Sequence, residues 1–207
     1  MAAARRGSGI VELVPRVGDF HATNEPLFRL YGSGPFDVRK LRGAVALGPE
    51  RTMEQDPMFA FRILLDIALK ALSKAINDPT TAVLAIDQLH RLLRNLGKRD
   101  LSGEEILDRA GQLRVIFHTP NWEDYVHLTF TELRFNGAES MQVVRRLRAM
   151  IEDLVRTLPE HRHPALLREL ELLELTIQRV YTLPEDLALA RVADSQGLGG
   201  SVRASAQ

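Results

Sequence analysis

Residues 57–72 read PMFAFRILLDIALKAL. The charged side chains in this stretch are Arg62, Asp66 and Lys70, each four residues from the next. On a helix they make one narrow stripe, with apolar residues almost everywhere else. Such a helix is expected to be covered on most of its surface, which places it inside a helical assembly. The preceding dipeptide, Asp56-Pro57, is a start signal. Aspartate supplies a capping oxygen, and proline at the first helical position forfeits no intrahelical hydrogen bond. Asp78-Pro79 repeats the device, and Ala82, Val83, Ile86, Leu89, Leu93 and Leu96 follow at spacings of three and four, closed by Gly97.

Working outward, Ser102 and Glu105 have the spacing of a capping box and predict a short helix. Leu113, Val115 and Phe117 alternate with polar positions and predict a strand over 112–118. A third long helix is expected through Trp122, Val126, Phe130 and Leu133, stopped by Gly137. Two seams follow, Val144-Leu147-Ile151-Leu154-Leu158 and Leu166-Leu170-Leu173-Ile177-Val180. The connection 157–164 suits an antiparallel helical hairpin. A last helix is expected over 184–193. Upstream, residues 10–14 and 27–31 are short β-prone runs around Pro15-Arg16-Val17-Gly18-Asp19-Phe20, and Gly32-Ser33-Gly34-Pro35 closes them. Two such strands are too few to stand alone. The reading is α+β, mainly α: a small N-terminal β-unit, then a bundle of about six helices with one short strand. It divides the chain into a flexible leader (1–9), the β-unit and its connection (10–50), a helical domain (51–194) and a flexible tail (195–207).

Composition narrows function by exclusion. Lys+Arg and Asp+Glu number 27 each in 207 residues, and no basic face is evident, which argues against a nucleic-acid interface. There is no cysteine, so disulfides, zinc thiolates and cysteine nucleophiles are ruled out. Arg5 and Arg6 are not followed by an apolar signal region, and no run of eighteen apolar residues exists to span a membrane. His161 and His163 lie in the 157–164 connection, and without further ligands they read as a solvated loop rather than a zinc site. Phosphate-loop, nucleophile-elbow and His-Glu-x-x-His patterns are missing, so no catalytic residue, metal set or cofactor is assigned. Trp122 reads as a core anchor.

The candidate polar cluster is Arg62, Asp66, Asn77, Asp78 and Asp87. The Arg62–Asp66–Lys70 stripe is either a solvated face with ion pairs or a surface facing a partner, where its charges would need each other. Asn77 and Asp78 either close a turn and cap a helix or offer an anion site. Asp87 would join them if the first two long helices packed as a hairpin. Asp66, Asp78 and Asp87 together could then hold a hard cation.

Several blocks resemble one family. Arg51-Thr52-Met53-Glu54-Gln55-Asp56-Pro57, Leu65-Asp66-Ile67-Ala68 and Ile76-Asn77-Asp78-Pro79-Thr80-Thr81-Ala82 are similar to the signature of the bacterial predicted membrane proteins catalogued as domain of unknown function 2254. So are Pro15–Phe20, Trp122-Glu123-Asp124-Tyr125 and the late run Ala190-Arg191-Val192-Ala193-Asp194-Ser195-Gln196-Gly197-Leu198-Gly199-Gly200. The resemblance covers 10–200. It implies a soluble portion that follows several transmembrane helices in relatives, and hence a truncated or split version here. The 15–20 turn also resembles that of lipoyl-like hammerhead modules, without a lysine at its tip. The function expected is an interaction or regulatory domain, cytoplasmic at the inner face of a membrane, assembling with itself or with a membrane-protein partner. The alternative is a small-ligand, anion or metal-binding domain or an enzyme, with its polar site between the first two long helices.

Overall fold

A computed structural model describes residues 9–33, 35–48, 50–101 and 103–200. The rest of the expected leader and residues 201–207 of the expected tail lie outside them. The fold is mainly α with a small sheet, and it separates into two compact units: Met1–Phe59 with Asp100–Asn121, and Ala60–Arg99 with Trp122–Gln207.

The first unit is built on a four-stranded sheet. Strand β1 (Ile10–Leu13) pairs antiparallel with β2 (Phe28–Tyr31), Val11 opposite Leu30. On its other side β1 runs parallel to β4 (Leu113–Phe117), Val11 opposite Val115. Strand β3 (Glu105–Leu107) closes the order β2-β1-β4-β3. The partner that the N-terminal strands lacked is thus supplied from far downstream in the chain, and Val11 is buried at the centre.

Residues 105–107 correct the expected helix: Glu105 is in a strand, and Ser102 lies outside the described residues. The turn that follows explains the outcome. The Asp108 carboxylate accepts from the backbone N–H of Ala110 and of Gln112, and it pairs with Arg114 at 2.8 Å. Gly111 sits there at φ +76°. Such a turn folds 105–107 back onto β4, and sheet pairing satisfies more of its backbone than one isolated helical turn could. A short helix not anticipated from sequence, α1 (Val38–Gly43), is capped by Asp37, whose carboxylate accepts from the Lys40 N–H at 3.2 Å.

In the second unit α3 (Pro79–Leu96) packs on α5 (Met141–Thr157). Helix α5 in turn packs on α6 (His163–Val180), which also carries α4 (Trp122–Asn136). A short 3-10 turn, Glu160–Arg162, joins α5 to α6, and α7 (Pro184–Ala190) rests on both. The core holds Ile86, Leu89, Leu93, Phe130, Leu147 and Ile151, all on the periodic seams read from sequence. Helix α2 (Pro57–Ala71) starts as expected, with the Asp56 carboxylate accepting from the Met58 N–H at 2.9 Å. It buries Phe61, Leu65, Ala68 and Ala71. Ile67 is 46% exposed and lies beside Asp66 on the open side of the helix.

Candidate functional site

The structure disperses the five residues singled out from sequence. Arg62 donates from Nε to Asp66 at 2.7 Å and from Nη1 to Glu132 of α4. The hydrogen-bonded carboxylates of Glu132 and Asp66 raise its pKa. Lys70 is exposed on the same helix. The stripe is therefore a half-exposed ion-pair network, of modest energetic value.

Asn77 takes a left-handed conformation, φ +48°, as the last residue of the turn. Asp78 caps α3: one carboxylate oxygen accepts from the Thr81 N–H at 3.0 Å and the other from the Thr81 hydroxyl at 2.5 Å. These bonds hold the Asp78 carboxyl below its ordinary pKa. With that carboxylate already engaged, the helix start serves as a cap. Asp78→Ala should lower the urea unfolding midpoint, and Asp78→Asn, which keeps a capping oxygen, should lower it much less. Equal losses from both would argue for a role of the charge itself.

Asp87 joins neither group. It faces Arg146 of α5 at 2.6 Å, because the face of α3 that carries it packs on α5. Asp66, Asp78 and Asp87 therefore do not converge, and no cluster of three metal-ligating side chains occurs among the described residues. Of the two histidines in the 157–164 connection, His163 shares a hydrogen bond with the Leu158 carbonyl at 2.9 Å.

A cavity forms instead in the first unit, on the Pro15–Phe20 turn. It measures about 440 Å³ and is lined by Asp19, His21, Leu47, Arg51, Gln55 and Asp56 among others. Two sequence blocks meet at its base. Gly18 has φ +88°, and its carbonyl accepts from Arg51. Arg51 also pairs with Asp56 at 3.5 Å, and Asp56 is almost fully buried. A Cβ on Gly18 would stand 2.6 Å from the Asp56 carboxylate, so glycine is required by both conformation and space. The rim is apolar and open to solvent: Val17 is 53% exposed, Leu47 73% and Phe20 92%. Sequence reading missed this site. Its signal is the pairing of a Gly-Asp turn with an Arg-x-x-x-x-Asp segment thirty-three residues later, which no local pattern connects.

A family model described as "Predicted membrane protein (DUF2254)" matches residues 1–153. The chain belongs to this family. The match takes in both blocks that form the cavity base. The chain is also 30% identical to the uncharacterized proteins Mb1321c of Mycobacterium bovis and Rv1290c of Mycobacterium tuberculosis, over 99% of its own length and 39% of theirs. It thus spans about two fifths of these relatives. No solved structure matches it. Among the described residues no helix is long and apolar enough to cross a membrane.

Proposed function

We propose that this chain is the interaction or regulatory domain of a DUF2254 protein, working at the inner, cytoplasmic face of a membrane and meeting its partner through the cavity of the first unit. The observation that carries this reading is the exposed rim. Water-facing aromatic and aliphatic side chains gathered around a concave surface mark a contact surface more often than a free one. The partner in view is a second copy of the chain or a membrane protein. Burying Phe20 and Leu47 would stabilise such a contact by roughly 2 kcal/mol each.

Light scattering on the purified chain tests this. The expected result is a defined dimer or larger species, or capture by membranes carrying the partner, lost in Phe20→Asp/Leu47→Asp with melting temperature unchanged. A monomer at high concentration that also ignores such membranes would refute the reading. The polar lining by His21, Arg51, Gln55 and Asp56 supports a second reading, a small-ligand site. Ligand-dependent melting shifts abolished by Arg51→Gln would favour it.

A further inference from the structure

His90 sits in the middle of a hydrogen-bonded chain that ties α3 to α5. Its Nδ1 lies 2.9 Å from Arg146 Nη2, and its Nε2 lies 2.9 Å from Asp153 Oδ2. An arginine can only donate, so Nδ1 has to be the acceptor and the proton resides on Nε2, pointing at Asp153. The ring is therefore held in one neutral tautomer. Arg146, itself almost fully buried, spends its Nε on Asp87 at 2.6 Å. The remaining charges around the ring are Arg94 from α3 and Arg156 from α5, both paired with Asp153. Three guanidinium groups thus face two carboxylates, and a proton on His90 would add to a local positive excess.

The same arginine supports the chain end. A Cβ on Gly197 would lie 3.3 Å from Arg146 Cδ and 2.5 Å from Val83 of α3, so the 194–200 turn rests directly on the Arg146 stem. Neighbouring Arg145, 1% exposed, holds the carbonyls of Val192 at 3.0 Å and Gly200 at 3.1 Å. Gln142 holds the Gly197 carbonyl at 2.6 Å.

We infer that His90 is an acid-sensitive latch: protonation at Nδ1 expels the Arg146 guanidinium, loosens α3 from α5 and frees the 192–200 strap that lies on Arg146. The direction follows from linkage. Burial and Arg146 both push the His90 pKa below its ordinary value. The opened or unfolded form then binds the proton more readily, so the latch is fully closed above about pH 6.5 and is lost as pH falls through the lower value. Asp153, held below the ordinary carboxylate range, stays charged through that window.

Hydrogen exchange followed by mass spectrometry on the full chain tests this, with intrinsic rates corrected between about pH 7.5 and 5.0. In the wild type, protection of 192–200 should fall several-fold on acidification, roughly in step with protonation of His90. His90→Gln is the discriminating variant. Glutamine can accept from Arg146 and donate to Asp153 but cannot take the proton, so protection should stay level with pH. Acid-induced loss of equal size in His90→Gln would overturn the inference, as would an unchanged strap across a pH range in which His90 is seen by NMR to titrate. Should His90→Gln fold poorly, the wild-type NMR and exchange titrations decide alone: loss of protection must track the His90 midpoint.

Discussion

Trp122→Ala is expected to destabilise the helical unit by about 4 kcal/mol. Trp122 is the largest fully buried side chain, 1% exposed at the first position of α4. Truncation would leave a cavity that the rigid seams of α4 and α6 cannot collapse into, and it would strip a buried hydrogen bond, since the indole N–H donates to the Arg162 carbonyl at 2.9 Å. The loss would extend to a clamp. The Arg162 guanidinium stands 5.5 Å from the centre of the indole ring while donating to the carbonyls of Gly97 and Arg99, at the end of α3. One aromatic ring therefore joins the start of α4, the α5–α6 connection and the end of α3. Trp122→Phe keeps most of the volume and loses the N–H, so about 1–2 kcal/mol is expected. Urea unfolding followed by far-UV circular dichroism is the measurement, because Trp122 is the single tryptophan and its variants lose the fluorescence probe. A loss under about 1 kcal/mol for the alanine variant would show that the indole occupies a tolerant site and would return it to consideration as a ligand-stacking group.

How much of this molecule is legible in the sequence depends on the range of the interactions that decide each part. Helices α2 and α3 are announced by Asp56-Pro57 and Asp78-Pro79, and their seams by spacings within two turns. Core members such as Leu89, Leu147 and Ile177 follow from those spacings. Glu105 shows the limit. Ser102 and Glu105 satisfy a local helix rule, yet the β4 backbone offers Glu105–Leu107 ladder bonds, and tertiary pairing overrides local preference. The partners of the candidate polar residues are equally long-range. Arg62 and Asp66 are neighbours on any helix, but Glu132 lies seventy residues on, and the Asp87–Arg146 pair spans fifty-nine. Arg145 and Arg146 are buried because the chain end returns over them, a contact that no spacing within the helix announces. The cavity beside Gly18 depends on a partner segment thirty-three residues away.

Asp194→Ala is expected to cost about 3 kcal/mol and to detach the 194–200 turn at every pH. The run 195–207 reads as a flexible tail. For 195–200 the structure corrects this. Asp194 is 8% exposed and gathers three backbone N–H groups, from Gln196 at 3.1 Å, Gly197 at 2.9 Å and Gly199 at 2.7 Å. Gly197 and Gly199 have φ of +70° and +72°, a region glycine enters without penalty. The glycines thus serve a tight carboxylate-centred turn rather than looseness. The Asp194 N–H donates to the Arg145 carbonyl, which fixes the turn on α5. Alanine leaves the three donors without their acceptor, and the Arg145 guanidinium then loses the Gly200 carbonyl as the turn drifts. Asparagine at this position could still accept from two of the three N–H groups, so Asp194→Asn should lose about half as much. Hydrogen exchange supplies the sharper readout. In Asp194→Ala, residues 192–200 should exchange fast at about pH 7.5 and gain little further from acid, because the strap that His90 would release is already off. If the strap stayed protected in Asp194→Ala, the Arg145 and Gln142 contacts would be its real fastening.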